Sequence, residues 1–185
     1  MSTSEELISS ISKNLIHFKE KVSFENQGKR FDINIRAESL FLPLLRIIFD
    51  CPDLVNLNLT DEKGFPSVDL GDRTKRIAIQ VTSSNQTAKI VQTIKLFITH
   101  KLYEQFDQLK IFILKKKKKT YRGKEFLSLC QHLKECWSDK HSFSAKSDIV
   151  DINTISEKLN DLTYEDLQNL NRIFQLEING NFNSV

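Results

Sequence analysis

Residues 65–89 read FPSVDLGDRTKRIAIQVTSSNQTAK, and their pattern decides the fold. Arg76 to Thr82 is a strand in which Ile77, Ile79 and Val81 point one way while Ala78, Gln80 and Thr82 point the other. A Gln beside a Thr, opposite a strictly apolar face, builds something polar on the sheet. Upstream, Phe65 to Leu70 reads as a second strand with Pro66 near its start, and Gly71 to Lys75 as the turn between the two. A tight hairpin brings Asp69 near Gln80. A carboxylate and an amide oxygen about one strand spacing apart can share a hard divalent cation such as Mg²⁺. The plain alternative is an exposed sheet edge, where Asp and Gln merely face water. Downstream, Ser83-Ser84-Asn85 supplies cap residues for a long helix running to about Phe106.

Outward from this block the period changes. Residues 4–22 place Leu7, Ile8, Ile11, Leu15 and Phe18 at helical spacing, with Ser2, Thr3 or Ser4 as the cap. A second helix is predicted from about Ile33 to Phe49, apolar on most sides and therefore buried, with Pro43 bending it or removing one hydrogen bond. Val55-Asn56-Leu57-Asn58-Leu59 alternates as a half-buried strand does. Leu109 to Leu114 is an apolar interior strand, 123–137 a helix, Ile149 to Ile152 a weak strand, and 154–160 and 163–177 two closing helices. Three successive strands followed by a helical crossover predict an α/β fold with a mixed sheet and helices on its faces. The predicted organisation is one domain over 1–178 and a loose tail over 179–185.

Composition narrows the function classes. The chain has 185 residues, with 27 Lys+Arg against 24 Asp+Glu. Its apolar content supports one sizeable core, and no apolar run approaches the ~18 residues of a membrane span. Met1 to Leu15 carries Glu5, Glu6 and Lys13 and shows no signal-peptide pattern. Cys51, Cys130 and Cys136 form no CxxC pair, and four scattered histidines make no zinc spacing. A cytoplasmic protein without a membrane partner is expected. The Asn-x-Thr triplets at Asn58 and Asn85 read as chance. Lys115, Lys116, Lys117, Lys118 and Lys119, followed by Tyr121, Arg122 and Lys124, stand at the end of a sheet strand. They could track a nucleic-acid backbone, or form a solvated loop of mutually repelling charges.

The layout of a helix Glu, a hairpin carrying Asp and then Gln, and a following helix resembles the PD-(D/E)xK restriction-endonuclease-like fold. Within it the chain is similar to the SMEK-domain family of bacterial proteins. The residues that carry the likeness are Asn56-Leu-Asn58, Phe65-Pro-Ser-Val-Asp69-Leu-Gly-Asp72, Ile77-Ala-Ile-Gln80-Val-Thr82-Ser83, Lys89-Ile90 with Thr93-Ile94 and Phe97, Leu102-Tyr103, and Leu109 to Leu114 with the lysines and Tyr121. Glu38 with Leu44-Leu45 matches the upstream helix. The resemblance implies a Mg²⁺- or Mn²⁺-dependent nuclease of bacterial conflict and phage defence. Asp69 and Gln80 would be the metal ligands, and Glu38 would hold a metal or a water. Thr82 stands where the fold usually carries its lysine, and Lys89 is the candidate to supply the ammonium from the next helix. Nucleic acid, DNA or RNA, is the implied partner, together with a sensor or partner protein of a defence operon. The rival reading is a catalytically inactive module of the same fold that binds nucleic acid or a partner protein. A homodimer through the first helix is a further expectation.

Overall fold

The computed structural model describes residues 2–27, 32–60 and 65–182. In chain order these form α1 (Ser4–Gln27), α2 (Asp32–Ile48), β1 (Val55–Asn56), α3 (Leu57–Thr60), β2 (Leu70–Asp72), β3 (Ile77–Thr82), α4 (Thr87–Thr99), β4 (Gln108–Ile113), α5 (Lys124–Cys136), α6 (Ala145–Asp148), β5 (Ile149–Asp151), α7 (Ile152–Lys158) and α8 (Tyr164–Phe182). Short 3₁₀ turns lie at Leu102–Glu104 and Leu159–Asp161. The strands make one five-stranded sheet in the order β1-β2-β3-β4-β5. β1–β2 and β2–β3 are antiparallel, and β3–β4 and β4–β5 parallel. The α/β class and the mixed sheet are those predicted. The hairpin and the helical crossover α4 account for the two kinds of pairing.

Alternation along β3 divides the core. Ile77, Ile79 and Val81 join α1, α2, α7 and α8 in one apolar cluster, where the Phe41 ring meets Phe18, Phe112 and Phe174 edge-on. Ala78, with Ile111 and Ile113 of β4, faces α4 and α5 in a second cluster. Trp137 closes the second cluster and donates its indole N–H to the Phe106 carbonyl at 2.8 Å. The first helix starts on a reciprocal cap: Thr3 Oγ1 accepts from the Glu6 N–H, and Glu6 accepts from the Thr3 N–H. Its apolar face, including Leu7, Ile11, Leu15 and Phe18, is covered by α7 and α8 of the same chain. The face assigned to a twin chain is therefore already spent inside the core.

Several boundaries differ from the sequence reading. α2, by contrast, runs through Pro43 as expected. The alternating stretch 55–59 keeps only two strand residues, because Asn56 Oδ1 accepts the Asn58 N–H at 2.9 Å and turns the chain into α3. The strand expected over 65–70 instead covers Leu70–Asp72. Asp72, read as a turn residue, is a strand residue that is also fully buried, its carboxylate accepting from the Lys75 and Asp53 N–H groups. The helix expected to reach Phe106 stops at Thr99, where the chain passes through Lys101 in the left-handed region, φ 54°. Ser83-Ser84-Asn85 do not cap α4. Its N-cap is Gln86, without a side-chain cap bond, while Ser84 and Asn85 bond within the preceding turn and across to the Lys116 carbonyl. The backbone of α8 continues to Phe182, past Asn179 where the tail was expected. Residues 61–64 and 183–185 lie outside the described residues.

Candidate functional site

Asp69 sits one residue before β2, with its N–H on the Ile79 carbonyl at 3.0 Å and its own carbonyl accepting from Leu57 N–H at 2.8 Å. The β2–β3 ladder ends at Leu70↔Ile79, and the Asp69 carboxylate takes the next strand N–H, that of Val81, on Oδ2 at 2.7 Å. Gln80 Nε2 donates to the same oxygen at 2.5 Å and to the Val81 carbonyl at 2.9 Å. The hairpin thus brings Asp69 and Gln80 together, as the sequence predicts. The amide presents its nitrogen to Asp69, so Gln80 serves there as a donor, and offering its oxygen to a cation requires the amide to turn over.

Glu38, itself buried, reaches the same cluster from α2. Its Oε2 accepts from Asn56 Nδ2 at 3.0 Å and Asn58 Nδ2 at 3.4 Å. Asn58 Nδ2 also donates to Asp69 Oδ1 at 3.2 Å, so one amide bridges the two carboxylates. Burial raises the Glu38 carboxyl above its usual range, against the hydrogen bonds from Asn56 and Asn58. Burial, and then the nearby Glu38 charge, push the Asp69 carboxyl up to about 6, opposed by the Val81 and Asn58 hydrogen bonds and the Lys89 charge.

Lys89 projects from the first turn of α4. That helix is fixed beside the hairpin by Ser67, itself left-handed at φ 75°, whose hydroxyl donates to the Thr93 carbonyl at 2.7 Å. Lys89 is half-buried, and its charge is felt at Asp69. Thr82 is buried with its Oγ1 accepting from the Ser84 N–H at 3.1 Å, so it takes part in the turn and offers no charge.

The lysine run is divided. Lys117 turns inward: its ammonium donates to the Ile149 carbonyl at 2.6 Å and its N–H to Asp151 at 2.8 Å. Lys118 reaches Gln86 Oε1 at the start of α4 at 3.0 Å. Lys116 and Lys119 are exposed and Lys115 half-buried. Arg122 is exposed and lines an open groove of about 460 Å³ between α4 and α5, with Thr87, Val91, Lys95, Lys124 and Phe126. The run therefore does not present five equivalent cations. The open groove brings Lys124, which follows the run in sequence, together with Lys95 of α4, which the sequence reading did not select.

Asn56 and Asn58 were also missed as site residues. Their N-x-N spacing imitates strand alternation, and only the folded chain brings both amides to Glu38. Among the described residues, no group of three or more His, Cys, Asp or Glu side chains is gathered to hold a metal ion. The donor chemistry here is nevertheless all oxygen or convertible to it: two carboxylates, a strand amide and the Val81 carbonyl. Two desolvated acids share a single amide without a bonded cation. This set suits a hard divalent ion rather than a thiolate- or imidazole-seeking one.

A family model described as the SMEK domain matches residues 10–160. The chain belongs to the SMEK-domain family. The match spans Glu38, the Asp69–Gln80 hairpin, Lys89 and the lysine run. No curated protein and no solved structure matches the chain. Among the described residues, no helix of this SMEK domain is long and apolar enough to cross a membrane.

Proposed function

We propose that this SMEK domain hydrolyses phosphodiester bonds in nucleic acid with a divalent cation, as a nuclease of the PD-(D/E)xK type acting in bacterial conflict and phage defence. The observation that carries the reading is the Glu38–Asn58–Asp69–Gln80 cluster. Two acids, one from helix α2 and one just before β2, are desolvated together beside the β2–β3 pair, with the Lys89 charge on the neighbouring helix. A desolvated like-charge pair is costly to the fold and is typical of sites retained for function. Asp69 and Glu38, with Gln80 once its amide is turned, would hold Mg²⁺ or Mn²⁺. Such an ion acidifies a bound water and offsets phosphate charge. Lys89 contributes a positive charge toward the same cluster, in place of the strand position that Thr82 occupies. Lys95, Lys116, Lys119, Arg122 and Lys124 provide exposed charge for a phosphate backbone, which carries affinity without sequence preference.

The second reading, an inactive module of the same fold that binds nucleic acid or a partner protein, is favoured by Thr82 alone. Its hydroxyl is engaged in the Ser83–Ser84 turn and supplies no ammonium. Plasmid DNA and total RNA incubated with Mg²⁺, Mn²⁺ or EDTA separate the two. The nuclease reading expects cleavage that disappears with EDTA and with Asp69→Ala, and falls by at least about 100-fold with Lys89→Ala. Salt-sensitive retention of nucleic acid without cleavage under any of these conditions supports the inactive module instead.

A further inference from the structure

We propose that Asn58 is a positioning residue, a clamp that sets the spacing of the Glu38 and Asp69 carboxylates for a shared divalent cation. The inference rests on the metal-dependent reading above and gives Asn58, named there only as part of the cluster, a task of its own. Asn58 Nδ2 carries two protons and faces two acids, Glu38 Oε2 at 3.4 Å and Asp69 Oδ1 at 3.2 Å. The acids come from different places in the fold, α2 and the residue before β2, and no backbone ladder among the described residues joins those elements directly. Asn58 is itself held at both ends. Its N–H lies on Asn56 Oδ1 at 2.9 Å, and its Oδ1 accepts the Phe65 N–H at 3.2 Å. Asn56 then returns to Glu38 at 3.0 Å and closes the circuit. The amide therefore has two separable jobs: its oxygen ties down residue 65, and its nitrogen tethers the acids. Like charges held without a donor between them move apart, and the oxygen donors of a cation site lose their spacing.

The two ends of the amide allow the jobs to be tested apart. Asn58→Asp is the same size and keeps an oxygen for Phe65 N–H, but replaces the shared donor with a third acid. Asn58→Ala removes both. Mn²⁺ binding followed by electron paramagnetic resonance, and thermal unfolding at pH 8 with and without Mn²⁺, are measured on the full chain. The clamp expects Asn58→Ala to weaken Mn²⁺ binding by about 10- to 100-fold, the range for residues that orient metal ligands. It expects Asn58→Asp to unfold at a lower temperature than wild type without Mn²⁺ and to recover most of the difference when Mn²⁺ is added. Mn²⁺ affinity unchanged in Asn58→Ala overturns the clamp, as does an Asn58→Asp melting temperature equal to wild type in both conditions. Asp69→Asn, measured alongside, distinguishes the two failures. If wild type binds Mn²⁺ no better than Asp69→Asn, the metal reading fails and the clamp with it. If Asp69→Asn abolishes binding while Asn58→Ala does not alter it, the clamp alone fails.

Discussion

Desolvated carboxylates occur toward both ends of the strand order, and they are treated in opposite ways. Beside β5, Asp148 receives the Lys110 ammonium at 2.6 Å and the Ser144 N–H at 2.6 Å, with little of either charged side chain exposed. Asp151 accepts from Lys117 N–H, Thr154 N–H and Thr154 Oγ1, each at 2.8 Å. Burial pushes the Asp151 carboxyl up, but those bonds and the Lys117 charge outweigh it and hold the group below its ordinary range. Beside β2, Asp69 also accepts three donors, yet it stands near a second buried acid and has no bonded cation. Its carboxyl rises to about 6. The β5 end uses its acids to finish helices and join strands. The β2 end keeps an unbalanced pair, and such imbalance is tolerated where chemistry needs it.

The balanced end is the more sensitive to the loss of a partner. Lys110→Met leaves Asp148 buried without its cation, and a loss of about 3–5 kcal/mol is expected in urea unfolding. A loss below ~1 kcal/mol would mean that the pair is effectively solvated, like a surface bridge.

The unbalanced end has a pH signature. Asp69 rises from 3.8 to about 6, so the folded chain holds this proton more tightly than the unfolded chain. Stability from this group is therefore greatest below about 4 and falls as pH rises through about 6, by roughly 3 kcal/mol in all. Asp69→Asn should flatten that slope between pH 4 and 7, read as melting temperature against pH. Asp151→Asn serves as the contrast and should not remove it.

A third variant tests how closely the hairpin must pack at the site. A Cβ on Gly71 would lie 2.9 Å from Leu57 Cδ1 and 3.0 Å from Phe106 Cζ, between α3 and the second core. Gly71→Ala should cost about 1–3 kcal/mol by overpacking, and should disturb the Asn58 end more than the β5 end in amide-exchange protection. The smallest expected effect is at the β5 end again. Asp151→Ala removes the α7 cap and should cost about 1–2 kcal/mol in chemical unfolding.

The sequence made the two ends legible to different degrees. Alternation in β3 was readable because one face is wholly apolar, and that placed Gln80 opposite the Ile77–Val81 face. Asp69 beside Gln80 followed from the hairpin alone. Glu38 came from the family resemblance, since no local pattern connects residue 38 with residue 69. Asn58 escaped because its partners lie 20 and 11 residues away, and its alternation with Leu57 imitates a strand. The lysine run misled for the complementary reason. Charge is visible in sequence, but the Ile149 carbonyl that takes Lys117 is brought close only by the β4–β5 pairing. Ser83-Ser84-Asn85 had the composition of a cap, yet their hydrogen bonds were taken by the turn itself and by Lys116.

The central claim is that the acids beside β2 are an unbalanced pair which a divalent cation balances. Thermal unfolding at pH 8, titrated with Mn²⁺ for wild type, Asp69→Asn and Asp151→Asn, tests it most directly. At about a hundredfold excess over Kd, wild type and Asp151→Asn should gain roughly 5–10 °C and Asp69→Asn almost nothing. Equal shifts in all three proteins, or none in wild type, would contradict the claim.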